Sequence, residues 1–209
     1  MNNPLSYIEV RILGSLIEKK LSTPHYYPLT LNSLTLACNQ KTSRNPVTEY
    51  SEDSVYSSIK GLIERKLAWE STLGRVPKYE ENLSKSYSLD HPEAALLCVI
   101  MLRGSQTLGE LRTNTEKMHA FHSYDNLNAA MEILYEKELV IRLPRQQGQK
   151  EQRITHLLCG EPEIQTGNQN PSESGMLSVS EEIITELAEI RKELEELKES
   201  FQKFKSQFE

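Results

Sequence analysis

The fold is decided by SEDSVYSSIKGLIERKLAWESTLGRVPKY, which occupies residues 51–79. In its first half Val55, Ile59 and Leu62 recur at helical spacing, which predicts a helix at the start of the stretch. From residue 67 onward apolar and polar residues alternate around a glycine-containing turn, which predicts a short β-hairpin over 67–79. A helix that runs directly into a hairpin suggests the closing half of a larger helical unit.

Two further helices are predicted before this stretch. Apolar residues at helical spacing predict one over 5–20, and Ser6 with Glu9 forms a capping-box pattern at its start. A second is predicted over 29–38, followed by the polar loop 39–46, which is too rich in breakers for a helix. Three helices closed by a hairpin predict a winged-helix domain, in which the hairpin is the wing.

The same order of elements returns after residue 90, although few residues are shared between the halves. A helix is predicted from His91 through the apolar run 94–102, and a second from a Thr107–Glu110 capping box to Met118. Ser123 is the predicted N-cap of a third helix. Strands are then predicted over 140–143 and 153–158, on either side of a polar wing tip.

The C-terminal part follows a different pattern. Gly, Pro, Ser, Asn and Gln dominate residues 161–179, which predicts a flexible linker. Over 180–209 apolar residues alternate in steps of four and three, which is typical of a coiled coil. An amphipathic helix that docks on its own domain is the alternative. The predicted dimer seam contains Leu187, Ile190, Leu194, Leu197, Phe201 and Phe204.

The charges beside this seam favour a parallel homodimer. With Leu187 and Leu194 at position a, glutamates fall at the preceding g positions and basic residues at the following e positions. Such pairs attract across a parallel interface. The predicted fold class is mainly α with small β-hairpin wings. Its parts are a winged-helix domain over 1–88, a second over 89–160, the linker over 161–179 and the C-terminal coiled-coil helix over 180–209.

Several blocks of sequence are distinctive: EVRILGSLIEK (9–19), YPLTLN (27–32), ACNQK (37–41), RNPV (44–47), LRGSQTLGELR (102–112), GQKE (148–151) and HLL (156–158). Together these blocks, which follow in order over residues 5–158, resemble the YceH family of bacterial proteins. One departure is Ser105, where proline is usual in the family. The resemblance implies a pair of winged-helix domains with no assigned biochemical role, and it supplies no catalytic residues.

Composition indicates a soluble, cytoplasmic protein. The longest apolar run, 94–102, is far shorter than the roughly 20 residues of a membrane-spanning helix. The three cysteines are far apart, which suggests reduced, buried thiols. The formal net charge is -6, but residues 1–90 carry +1, 91–160 are neutral and 161–209 carry -7. A neutral globular part is only weak support for a nucleic-acid ligand.

The polar loop and the third helix of the first half are the first candidate nucleic-acid contact. Lys41 and Arg44 are suited to phosphates, while Asn39 and Gln40 are suited to a base edge or to capping a helix end. Ser57 and Lys60 lie on the predicted recognition helix and complete this set.

The second half offers a basic wing, with a solvated hairpin as the alternative. Its candidate contacts are Arg142, Arg145, Lys150 and Arg153. The exposed positions of the preceding helix are acidic, which favours a protein partner instead. The block 106–112 is expected to be structural, with Gly109 allowing close helix packing. His119 and His122 share a metal-like spacing, but no further ligand is predicted.

No catalytic motif is present in the sequence, so an enzyme, a cofactor and a metal are not expected. Two functions remain open. One is a regulator-like protein that binds double-stranded DNA and dimerises through its C-terminal helix. The other is a scaffold whose winged helices bind protein partners and not nucleic acid.

Overall fold

The computed structural model describes residues 4–72, 74–145 and 151–162. The predicted linker, the coiled-coil helix and its six seam residues, together with Lys150, lie outside the described residues. The described part is mainly helical, with two small antiparallel sheets.

Helix α1 (Tyr7–Ser22) begins at the predicted capping box. The backbone N–H of Ser6 donates to the Glu9 carboxylate at 2.7 Å, and the Ser6 hydroxyl accepts from the N–H of Glu9 at 3.4 Å. These bonds satisfy amides that the first turn of a helix leaves without partners. The helix ends at Thr23, whose N–H still donates to the carbonyl of Lys19.

The predicted second helix divides into two elements. Leu29–Thr30 form strand β1, and helix α2 covers Leu31–Cys38. The Thr30 hydroxyl accepts from the N–H of Ser33, which fixes the start of α2 two residues later than predicted. The prediction was wrong at Leu29 because apolar spacing alone does not separate a buried strand residue from a helical one.

Residues 51–79 fold into the predicted helix and hairpin. Helix α3 (Glu52–Glu64) is capped by Ser51 and buries Val55, Ile59 and Leu62. Strands β2 (Ala68–Ser71) and β3 (Lys78–Glu81) follow as an antiparallel hairpin. Strand β3 also pairs with β1, so the sheet order is β1-β3-β2. The prediction missed β1 as the third strand because its two residues carry no alternation of their own.

After the first hairpin the described residues form one short helix, three longer helices and a second hairpin. Helix α6 ends at Thr115, so its predicted extension to Met118 is wrong, while the caps at Thr107 and Ser123 are confirmed. Gln106 forms an isolated bridge to Ile154. The elements are α4 (Leu83–Ser86), α5 (His91–Arg103), α6 (Leu108–Thr115), α7 (Tyr124–Glu136), β4 (Val140–Arg142) and β5 (Ile154–His156).

Helices α1 and α5 join the two halves through a close packing contact at Gly14. A Cβ placed on Gly14 would lie 2.9 Å from Cδ2 of Leu102, and the Cys98 thiol lies 3.2 Å from the Gly14 carbonyl oxygen. The N–H of Leu5 donates to the carbonyl of Leu158 at 2.7 Å. The described residues of both halves therefore belong to one compact unit with a continuous apolar core.

Within the described ranges, no helix combines the length and apolar character needed to cross a membrane.

Candidate functional site

Arg44 is the clearest departure from the predicted contact set. Its side chain is fully buried, and it donates to the Glu18 carboxylate at 2.7 and 3.1 Å. It also donates to the carbonyl of Ala37 at 2.8 and 3.2 Å. A guanidinium held this way cannot reach a phosphate on the surface. We therefore remove Arg44 from the candidate contacts and assign it to the structure of the polar loop.

The Arg44–Glu18 pair is stable despite its burial. Burial opposes the charged form of Glu18, but the hydrogen bonds and the positive charge of Arg44 outweigh it and lower the pKa of the carboxyl group. A second arginine completes the anchor. Arg11 is 4% exposed and donates to the carbonyls of Cys38 and Pro46 at 3.3 and 2.7 Å. Two buried guanidinium groups thus fasten the loop to α1 and α2.

Asn39 also acts within the loop. Its amide nitrogen donates to the carbonyl of Tyr50 at 2.8 Å, and its amide oxygen accepts from the N–H of Tyr50 at 2.8 Å. Both ends of the Asn39 amide are therefore used to close the loop. Gln40 is half-buried, whereas Lys41 is exposed. Of the four loop candidates, Lys41 is the cation that remains at the surface.

The two candidate contacts on α3, Ser57 and Lys60, also differ in how free their side chains are. Ser57 is exposed. Lys60 donates to the Glu70 carboxylate at 2.6 Å and lies 5.4 Å from the ring centroid of Tyr56. This ion pair raises the pKa of Lys60. The Lys60 charge is thus already offset by a neighbouring carboxylate on β2.

Two arginines of the basic wing, Arg142 and Arg153, pair with carboxylates of α7 and α6. Arg142 donates to Glu132 at 2.9 Å and to the Tyr135 hydroxyl at 3.0 Å. Arg153 donates to Glu110 at 3.0 Å and to the Ser105 carbonyl at 2.7 Å.

Arg145 is exposed and has no hydrogen bond or ion pair within the described ranges. Asp125, Glu132 and Glu136 are exposed along α7, as the sequence predicted.

The exposed apolar side chains were missed at the sequence level. In the described ranges seven of the eight large ones lie in the first half. Their signal in the sequence is weak, because an aromatic residue on a strand or helix is usually interpreted as core. The eight are Tyr7, Tyr26, Leu36, Val47, Tyr56, Trp69, Val76 and Tyr124.

Block 106–112 has a structural role at Gln106, as expected. This side chain is 3% exposed and its amide donates to the carbonyl of Val99 at 3.2 Å, while its oxygen accepts from Asn114 at 2.6 Å. The expectation for Gly109 was wrong. Among the described residues, a Cβ there would meet only the Thr107 hydroxyl, at 4.0 Å, so no described helix packs against this glycine.

His119 and His122, whose spacing resembles that of metal ligands, lie beyond the end of α6 and not on one helix. The His119 ring contacts those of His91 and Phe121, with centroids 5.4 and 4.6 Å away. Burial and the neighbouring histidines lower the pKa of His119. No group of three or more metal-binding side chains is found in the described part of the chain.

These surfaces belong to a protein of a bacterial family without an assigned role. Residues 5–149 match the family of proteins of unknown function DUF480, and the chain belongs to this family. A UPF0502 protein of Geotalea uraniireducens is 50% identical over 189 residues, covering 87% of this chain and 85% of that protein. UPF0502 proteins of Opitutus terrae and Geobacter sulfurreducens are 46% and 47% identical, over 80% and 85% of this chain.

Proposed function

We propose that this chain is a cytoplasmic, non-catalytic adaptor that binds a protein partner through its first half and self-associates through its C-terminal segment. The observation that carries the proposal is the pairing of its surface cations. Lys60, Arg142 and Arg153 each form an ion pair with a carboxylate of the same chain. Such cations have little charge left for a phosphate backbone, whose neutralisation supplies most nucleic-acid affinity.

We propose a tandem winged-helix architecture for the adaptor, as the resemblance to the YceH family implies. In the first half the order helix, strand, helix, helix, hairpin supports this interpretation. The pairing of the short first strand with the hairpin supports it too. In the second half, three helices followed by a hairpin support the same interpretation. The fold itself does not decide the ligand, because winged helices are used for more than one purpose.

The partner-binding surface that we propose is centred on Tyr56 and Trp69. They are 45% and 48% exposed, and they lie on α3 and β2, two elements that pack together. Tyrosine and tryptophan are enriched among residues that dominate binding energy at protein interfaces. They supply a large apolar area together with a hydrogen-bonding group.

The acidic face of α7 supports a protein ligand over DNA. Asp125, Glu132 and Glu136 are exposed on the helix that would read the major groove in a DNA-binding winged helix. Carboxylates at that position repel phosphate.

The test measures DNA binding and partner binding on the full chain. We expect no binding to mixed-sequence duplex DNA at roughly 50 mM salt, where phosphate contacts are strongest. A photo-crosslinking residue in place of Tyr56 or Trp69, but not of the exposed Tyr124 on α7, should give one defined protein adduct in cells. That adduct should disappear when the other of the two aromatics is changed to alanine.

DNA binding is the second candidate, and the exposure of Lys41 and Ser57 favours it. It predicts tight binding at low salt, a steep loss of affinity with rising salt, and weaker binding by Lys41→Ala. That combination of results would overturn the adaptor proposal.

A further inference from the structure

A cavity of about 350 Å³ opens between the second hairpin and the first turns of α6 and α7. Its volume lies within the range of small-molecule sites, roughly 300 to 1,000 Å³. Apolar, aromatic, cationic and amide groups all face it. The lining residues are Leu108, Gly109, Tyr124, Arg142, Arg145, Glu151, Gln152 and Ile154.

Gly109 is the first sign that the cavity accommodates a ligand. Glycine in the first turn of a helix is destabilising relative to alanine, so it needs a reason. The part of the chain that the structure describes gives no packing reason, since a Cβ at this position would meet only the Thr107 hydroxyl, at 4.0 Å. The missing side chain instead leaves the backbone of α6 accessible from the cavity, where Gly109 is a lining residue.

The aromatic wall of the cavity is held in place. The guanidinium carbon of Arg112 lies 4.9 Å from the ring centroid of Tyr124, and Arg112 itself donates to the carbonyl of Phe121 at 3.2 Å. Tyr124 is nevertheless 50% exposed, so one part of its ring remains available. A planar ring stacked on Tyr124 would also contact the apolar side chains of Leu108 and Ile154, which line the same cavity.

The cations of the cavity have different roles. Arg142 is oriented by Glu132 and by the Tyr135 ring, whose centroid lies 4.7 Å from its guanidinium carbon. Arg145 has no bonded partner among the residues that the structure describes. The charge of Arg142 is offset by Glu132, so Arg145 is the lining cation that we expect to contact an anion, and Glu151 is the one carboxylate among the described lining residues.

We propose that this cavity binds a small anion that carries a planar ring, such as a nucleoside monophosphate or an aryl carboxylate. The ring stacks on Tyr124 and the anionic group contacts Arg145. The absence of a side chain at Gly109 allows the ligand to approach the backbone. The site is separate from the Tyr56–Trp69 surface, so it adds a ligand-binding activity to the second half.

The experiment titrates the full chain with adenosine monophosphate, adenosine, benzoate and inorganic phosphate by calorimetry. Adenosine monophosphate or benzoate should bind at least about tenfold more tightly than inorganic phosphate, and adenosine monophosphate about tenfold more tightly than adenosine. The order of adenosine monophosphate and benzoate identifies the preferred anion. The amide signals of Gly109 and Tyr124 should shift in NMR spectra as the ligand is added.

Four variants locate the binding. Gly109→Leu fills the cavity and should abolish binding, while Arg145→Gln keeps the length of the side chain and should weaken binding about tenfold. Gly61→Ala on α3 and Arg75→Gln on the first hairpin are the matched controls and should bind as the natural chain does.

The proposal is overturned if neither ring-bearing anion binds at millimolar concentration, or if inorganic phosphate binds equally well. Unchanged affinity in both Gly109→Leu and Arg145→Gln would overturn it as well. None of these outcomes bears on the adaptor proposal, which depends on Tyr56 and Trp69.

Discussion

At the scale of single residues, position in the fold determines what each basic side chain of the polar loop does. Lys41 and Arg44 are three residues apart in one polar loop and look equivalent as phosphate contacts. Lys41 is exposed, whereas Arg44 is 6% exposed and bonded to Glu18. The planar guanidinium is suited to such burial, because it satisfies a carboxylate and a backbone carbonyl together.

Replacing Arg44 should destabilise the fold far more than replacing Lys41. Arg44→Met removes the partner of Glu18, whose side chain is only 15% exposed, and should cost about 3 kcal/mol. Lys41→Met should change the free energy of unfolding by less than about 0.5 kcal/mol. Urea unfolding of both variants measures the difference. Equal stability of the two would show that the buried pair does not anchor the loop.

His156 makes the stability of the fold sensitive to acid. Burial lowers the pKa of its imidazole to about 4, and its Nδ1 has no hydrogen-bond partner among the described residues. Between about pH 6.5 and pH 4 the imidazole binds a proton in the unfolded chain, where its pKa is near 6.5, but stays neutral in the folded chain. This contribution to stability is complete above about pH 6.5 and is lost progressively as the pH falls toward 4.

We expect the loss over this window to reach about 3 kcal/mol and to be absent in His156→Leu. Unfolding free energies measured between pH 7 and pH 4 test this. His25→Leu, at an exposed histidine, is the control and should retain the acid dependence. A natural chain and a His156→Leu variant with the same pH slope would contradict the assignment.

At the scale of elements, local signals determined where helices begin, and tertiary contacts determined how they pack. The predicted hydroxyl caps at Ser6, Thr107 and Ser123 are confirmed, because a capping bond forms within four residues of sequence. The pairing of β1 with β3 was not predictable in this way. It joins Leu29 to Tyr79, fifty residues away, and only the folded chain brings them together.

The contact between α1 and α5 should depend on Gly14. Gly14→Val forces a side chain against Leu102, which is 2% exposed and has no space to move, and should cost about 2 kcal/mol. The same change at Gly61 should be nearly neutral, since a Cβ there lies 3.6 Å from its nearest neighbour, an ordinary contact. Thermal unfolding of both variants gives the comparison. A Gly14→Val chain as stable as Gly61→Val would show that the two helices can separate without loss.

At the scale of the whole molecule, the acidic C-terminal segment remains a prediction from its heptad pattern. The pattern places Leu187 and Leu194 on one seam, whereas Ala188 and Glu195 fall on the opposite side. Self-association would give two copies of the proposed partner-binding surface to one complex and raise its avidity.

Charges placed in the seam should dissociate the dimer. The full chain with Leu187→Asp and Leu194→Asp should have half the molar mass of the natural chain in light scattering, because carboxylates are costly in a buried seam. The chain with Ala188→Asp carries carboxylates at positions 188 and 195, both outside the seam, and should remain dimeric. A natural chain that is monomeric at all concentrations would contradict the coiled coil and favour the alternative of a helix docked on its own chain.

The sequence by itself determined the order of the longer helices, most helix starts and the first hairpin, and its match to DUF480 shows a family of unknown function. These features follow from apolar periodicity, from caps and turns formed by neighbouring residues, and from motifs in one stretch of chain. Only the tertiary structure decided which cations remain at the surface, why Gly14 is glycine and where a cavity opens beside Tyr124. The physical reason is that burial and ion pairing depend on residues distant in sequence, and periodicity carries no information about such partners.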